Sequence, residues 1–175
     1  MNVWHDISPK RITPDKFVCY IEITSGTKQK YELDKETGLL ILDRVLYTST
    51  HYPANYGLIP RTLGEDGDPL DVLVLCSQPI QSQSLVECYP IGVITMSDGG
   101  EMDEKILALP LGDPANLCYK SIFDMPEHLM KEMEHFFTVY KELENKKTFV
   151  SNIEGPEKAK EVINRSISAY IKAFN

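Results

Sequence analysis

Apolar residues come in short β-rich runs through the first two thirds of the chain and at helical spacing through the last third. Residues 17–23, 28–34 and 39–46 each hold such a run, separated by Ser25-Gly26 and Thr37-Gly38. Runs of this kind between turn signals predict strands. Residues 70–76, 85–96 and 105–109 continue the pattern. Several short strands at this spacing predict a small closed or half-closed barrel. After Pro126-Glu127 the period changes, with Leu129, Met133, Phe136, Tyr140 and Leu143 recurring at steps of three and four. Those positions share one face of a helix. Gly155-Pro156-Glu157 opens a second helix, proline suiting the first turn and glutamate the positive end of the dipole. Its apolar stripe is Ala159, Ile163, Ile167, Tyr170 and Phe174. The expected class is α+β, mainly β, with both helices packed on the outside of the barrel.

The chain has 175 residues and no internal repeat, low-complexity tract or linker, so one domain over 1–175 is expected. A domain of that size buries roughly 70% of its unfolded surface, enough for a core without staples. Hydrophobic residues at 42% and charged residues at 25% exclude the composition of a disordered chain. The net charge of −8 sets the chain's own field against nucleic acid. The longest apolar runs, 38–42 and 72–76, fall far short of the ~20 residues that span a bilayer. Residues 1–10 contain Trp4, His5, Asp6 and Pro9 and no apolar h-region. A soluble, cytoplasmic protein is the expectation. Cys19, Cys76, Cys88 and Cys118 form no C-x-x-C pair, and three of them lie in strand-like runs, which predicts buried free thiols. His128 and His135 are seven apart on the first helix, where zinc ligands usually stand four apart.

Charge inside the strand-like runs changes the picture. Glu22 interrupts the first run, Lys30 and Glu32 share one face of the second, and Arg44 sits in the third. Singly, each reads as a charge on a solvated face; together, they can line one mouth of a barrel. The densest cluster is Glu65-Asp66-Gly67-Asp68-Pro69-Leu70-Asp71. Gly67 and Pro69 impose tight backbone geometry, so Asp66, Asp68 and Asp71 can converge. Crowded carboxylates repel unless cations lie between them, and hard oxygen donors suit Mg²⁺, Mn²⁺ or Ca²⁺. An EF-hand loop fails here: counting from Asp66, Asp71 falls where glycine is required and Ser77 where the bidentate glutamate belongs. An acidic turn without a ligand is the plain alternative. Asp98-Gly99-Gly100-Glu101-Met102-Asp103-Glu104-Lys105 supplies a second acidic loop at a strand end. Seven acids (Glu22, Glu32, Asp66, Asp68, Asp71, Asp98, Asp103) against Lys30, Arg44, Lys105 and Lys141 leave the candidate site at −3. Two divalent cations would make it positive and suited to a phosphate ester or anhydride.

Asp66-Gly67-Asp68-Pro69-Leu70-Asp71 matches the D-x-D-P-x-D signature of the soluble family I inorganic pyrophosphatases. Glu22, Lys30-Tyr31-Glu32, Asp43-Arg44, Tyr52-Pro53-Ala54-Asn55-Tyr56-Gly57, Asp98, Asp103, Lys105 and Tyr140-Lys141 follow in order and register. The chain thus resembles that family, in its compact prokaryotic form, from about Phe17 to Glu144. The resemblance implies an OB-like five-stranded β-barrel with flanking C-terminal helices, Mg²⁺ dependence, hydrolysis of pyrophosphate to two phosphates, and a homo-oligomer, commonly a hexamer. By position it makes Asp66, Asp71, Asp98 and Asp103 direct metal ligands, with Asp71 between two metals. Glu22 and Glu32 become holders of metal-bound waters, and Asp68 the base acting on the attacking water. Lys30, Arg44, Tyr56, Lys105, Tyr140 and Lys141 become ligands of the two phosphoryl groups. Arg44 adds a planar fork and the lysines movable point charges. Where the family often has a tryptophan-containing strand, this chain has Lys147-Thr148-Phe149-Val150, and Tyr140 also lies on an apolar stripe, so core packing stays open for it. His51 receives no role. Two other readings remain: a metal-dependent phosphohydrolase of another small phosphate compound, and a non-enzymatic divalent-cation module. The first lacks a glycine-rich nucleotide loop; the second leaves Lys30, Arg44, Tyr56 and Lys105 without purpose.

Overall fold

The computed structural model describes residues 1–174; Asn175, the last residue of the expected domain, lies outside them. A one-turn helix α1 (Val3–Asp6) leads into β1 (Phe17–Ile23), β2 (Gln29–Leu33), β3 (Leu40–Val45), β4 (Asn55–Leu58) and β5 (Asp71–Val74). A long hairpin follows, β6 (Leu85–Asp98) and β7 (Glu101–Pro110), then α2 (Glu127–Val139), β8 (Thr148–Glu154) and α3 (Pro156–Phe174). β1 pairs antiparallel with β4 and with β6, β4 antiparallel with β5, β5 parallel with β7, and β7 antiparallel with β6. Those pairings close five strands into a ring, the OB-like arrangement expected. β8 adds to β6 outside the ring, and β2 and β3 form a separate hairpin.

Strand alternation explains how an uninterrupted Val72-Leu73-Val74-Leu75 run is used. Val72, Val74, Ile106 and Ala108 belong to one core cluster with Ala159, Val162 and Ile163 of α3. Leu73, Leu75, Leu107 and Leu109 belong to a second cluster with Met133, Phe136 and Phe137 of α2. Successive side chains point to opposite faces, so both faces of the β5–β7 pair are covered and both need apolar residues. Removing a buried ring such as Phe137 would cost roughly 3–5 kcal/mol. β4 runs so close to β1 that a Cβ on Gly57 would lie 1.9 Å from the Tyr20 carbonyl oxygen, so only glycine fits there.

The six expected strands and two helices are present, with ends shifted by a few residues. β4 and β8 were not expected. Leu143 leaves the predicted stripe and is exposed, because α2 ends at Val139 and the chain turns through Glu142–Glu144 to Asn145 at φ 58°. All four cysteines are free, but only Cys19 and Cys88 are buried; Cys76 is half-buried and Cys118 exposed.

Candidate active site

A cavity of about 370 Å³ collects twelve of the thirteen site residues expected from the sequence. β1 supplies Glu22, β2 supplies Lys30 and Glu32, β4 supplies Tyr56, and the loop before β5 supplies Asp66 and Asp68. Asp71 opens β5, Asp98 ends β6, Asp103 and Lys105 come from β7, and Tyr140 and Lys141 follow α2. The lining holds seven carboxylates and four lysines, the fourth being Lys35.

Lys105 is the centre of the arrangement and is 3% exposed. The parallel register sets it opposite Asp71, and its Nζ donates to Asp71 Oδ2 at 2.7 Å and to the Tyr56 hydroxyl at 2.8 Å. Asp103 Oδ2 lies 3.0 Å away. Burial opposes the charge of Lys105, yet Asp71, Tyr56 and Asp103 outweigh it and raise the pKa well above the usual lysine value. The carboxyls move the other way in stability. Burial, then Asp71 and Glu32, push Glu22 up to about 8, against the hydrogen bond it accepts from the Leu33 N–H at 2.8 Å. Asp103 is raised by burial, with Asp71 adding to the shift and Lys105 opposing it. Asp66 is raised chiefly by burial, while its Oδ1 accepts from the Asp68 N–H at 3.0 Å. Raised acids mark carboxylates with too few donors and cations for their number.

That shortage is the test of whether a divalent cation fits. The donors are all oxygen, and their ionised forms are held at a cost that a hard cation would relieve. Among the described residues no three acidic, histidine or cysteine side chains converge as a ready-made centre. The reason is visible: the Lys105 ammonium stands between Asp71 and Asp103, and Lys141 is ion-paired with Asp98. The chemistry of the donor set fits.

Two expected residues need separate placement. Tyr140 is both site and core: it lines the cavity, is 4% exposed, and its ring centroid lies 5.1 Å from Phe136 and 5.5 Å from Phe137. Arg44 is the one expected residue outside the cavity lining. It sits beside Lys30 across the β2–β3 pair, with Nε 3.0 Å from Glu144 Oε1 and Nη1 3.0 Å from Asp43 Oδ2.

The sequence profile described as inorganic pyrophosphatase matches residues 19–171. The chain belongs to the inorganic pyrophosphatase family. It is 46% identical over 167 residues to soluble inorganic pyrophosphatase 2 of Chlamydomonas reinhardtii, covering 95% of this chain and 87% of that protein. It is 41% identical over 172 residues to the inorganic pyrophosphatase of Picrophilus torridus, covering 98% and 97%. The crystal structure of inorganic pyrophosphatase from Thermus thermophilus superposes with a TM-score of 0.90 at 34% identity, covering 98% of this chain and 99% of that one. Inorganic pyrophosphatase membership implies a divalent metal cofactor, in keeping with the donor set.

Lys35 and Glu144 were missed by sequence reading. Lys35 follows β2 in a turn and meets Asp68, 33 residues away, in an ion pair. Glu144, its side chain only 8% exposed, holds Arg44. Both contacts are tertiary, and no local pattern announces them.

Proposed function

We propose that this protein is a Mg²⁺-dependent hydrolase that converts pyrophosphate to two phosphates. One observation carries the reading: a single cavity gathers Asp66, Asp68, Asp71, Asp98 and Asp103 around Lys105 and Tyr56. Pyrophosphate is highly anionic, so its hydrolysis needs charge neutralisation and a nucleophile at neutral pH; divalent cations held by the carboxylates would supply both. Asp66, Asp71, Asp98 and Asp103 are the proposed ligands, with Glu22 and Glu32 behind them. Lys105 would exchange its contacts with Asp71 and Asp103 for phosphate oxygens, and Lys30, Lys141, Tyr56 and Tyr140 would bind the same anion. Arg44 would reach it by leaving Glu144. Asp68 lines the cavity with a half-exposed carboxylate, and it would take a proton from the attacking water. Transfer to water needs positioning and electrostatics rather than a covalent side-chain nucleophile.

We place the whole chain in one catalytic domain, in the cytoplasm, as a homo-oligomer of hexameric size with no nucleic-acid or membrane partner. Free cysteines support a reducing compartment. No helix among the described residues is long and apolar enough to cross a membrane. Exposed Leu39, Ile41 and Leu42 on the β2–β3 hairpin give apolar surface that a second copy would cover. Light scattering reads the oligomer size. The activity test is phosphate release from pyrophosphate, ATP and a sugar phosphate with Mg²⁺, Ca²⁺ or EDTA present. Release from pyrophosphate with Mg²⁺, lost in EDTA and antagonised by Ca²⁺, is expected. Equal rates on ATP would favour the broader phosphohydrolase, and no release from any substrate would leave a cation-binding module.

A further inference from the structure

The geometry points to Lys35 as a further positioning residue of the site, held over Asp68 by the N-terminal helix. Resting on the reading of Asp68 above, it extends that reading to residues outside the expected set. Lys35 lines the cavity and its ammonium is ion-paired with Asp68 Oδ1. Lys35 is the ion-pair partner that Asp68 has among the described residues; it holds Oδ1, while Oδ2 takes no hydrogen bond or ion pair from the described residues. Both side chains are 52% exposed, and an ion pair that exposed contributes little to folding. Its support, however, is built. The Lys35 ammonium lies 5.6 Å from the Trp4 ring centroid, and the Asn2 side-chain amide donates to the Lys35 carbonyl at 3.3 Å. The helix start and the Lys35 turn also touch closely: a Cβ on Gly38 would lie 2.9 Å from the Met1 carbonyl oxygen.

Trp4 is tied equally to the loop that carries Asp68. It is 4% exposed, and its Nε1 donates to the Thr62 carbonyl at 2.8 Å. The Thr62 hydroxyl accepts from the Leu70 N–H at 2.9 Å, which closes the stem of the acidic loop. At the other side the Arg61 N–H donates to the Trp4 carbonyl at 2.9 Å. One indole therefore sets the distance between the Lys35 turn and the Asp68 loop. Lysine over an aromatic face is also held by the ring's quadrupole, which limits where the ammonium can go.

A positioned base acts on turnover, whereas a substrate-binding lysine acts on affinity, so the test separates kcat from KM. Pyrophosphate hydrolysis with saturating Mg²⁺ is measured for Lys35→Met, Lys35→Arg, Trp4→Leu, Asp68→Asn and the Lys35→Met/Asp68→Asn double variant. Lys35→Met should lose about tenfold in kcat with KM within about twofold, as for a catalytic group displaced by under an ångström. Lys35→Arg should recover most of the loss, and Trp4→Leu should reproduce it. The double variant should be no slower than Asp68→Asn, because both changes act through one carboxylate. Calorimetric Mg²⁺ binding without substrate should tighten about 2–5-fold in Lys35→Met, since a positive charge beside the carboxylates is removed. Melting in EDTA should not change for Lys35→Met, which keeps the test open where Trp4→Leu fails to fold. A parent kcat in Lys35→Met, a loss confined to KM, weakened Mg²⁺ binding, or losses that multiply in the double variant would overturn the proposal. Asp68→Asn at the parent rate would overturn it differently, by removing the role of Asp68 itself.

Discussion

The two ends of the β5–β7 pair treat carboxylates in opposite ways. Beyond one end, buried Asp113 is surrounded by donors: the Ser77 N–H at 2.7 Å, the Ser77 hydroxyl at 3.0 Å, the Ala115 N–H at 3.1 Å and the Asn116 amide at 3.0 Å. The Ser77 N–H above all holds its pKa below the usual carboxylate value. At the other end Asp71 and Asp103 share one ammonium, and Glu22, Asp66 and Asp103 are all raised, chiefly by burial. Asp113 is finished by the fold, a connector between the chain after β5 and the turn after β7. The cavity acids are left unfinished by the fold, which is how a site for charged ligands differs from a structural carboxylate.

Replacing the proposed base gives the largest expected effect. Asp68→Asn keeps the shape but removes the proton acceptor, so turnover should fall by about 10²–10⁴. Mg²⁺ affinity should fall less than in Asp71→Asn, because Asp68 is not assigned as a ligand. Phosphate release and metal titration on both variants check this, and a parent rate for Asp68→Asn would end the assignment.

Next comes the pH dependence of the metal-free protein. Glu22 is near 4.5 when unfolded and about 8 when folded. Its contribution to stability is therefore fully present below 4.5 and lost as pH rises through about 8. Glu22→Gln removes that loss and keeps an acceptor for the Leu33 N–H. It should match the parent near pH 5 in EDTA and exceed it at pH 9 by up to roughly 3–5 kcal/mol. Urea melts at the two values read it; a variant weaker than the parent at pH 9 would show that Glu22 is not held at a cost.

Asp113 should behave with the opposite sign. Its stabilisation is fully present above the unfolded carboxylate value near 4 and is lost progressively as pH falls from there through its lowered folded value. Asp113→Ala should lower the melting temperature at pH 7 and lower it less at pH 3, with kcat retained. A drop of equal size at both values would make packing, not charge, its contribution.

How far the sequence carries can be seen in particular residues. The acidic loop was legible because Asp66, Asp68 and Asp71 lie within six residues around Gly67 and Pro69, and twelve expected residues do meet in one cavity, although no three of its acids converge among the described residues. The ring was legible in outline because alternation covers both faces of its strands. β4 escaped because Asn55-Tyr56-Gly57-Leu58 carries no apolar run, unlike the equally short β5, and its need for Gly57 arises from Tyr20 on another strand. β8 escaped because Phe149 is exposed and its pairing with β6 is long-range. Leu143 misled because a helical stripe does not show where a helix stops. Arg44 was read for its guanidinium fork, but Glu144 reaches it from a turn 100 residues later, a contact no spacing predicts.

The central claim is that the cavity carboxylates are completed by divalent cations whereas Asp113 is already complete. The most direct measurement is the shift in melting temperature of the EDTA-treated protein on adding Mg²⁺, at pH 8 and pH 5, for the parent, Asp71→Asn and Asp113→Ala. Cation binding to the folded state alone raises the melting point, and protonated carboxyls bind it poorly. The account predicts a clear rise at pH 8 that shrinks at pH 5, disappears in Asp71→Asn and survives in Asp113→Ala. A rise of the same size in Asp71→Asn, or no rise in the parent at pH 8, would contradict it.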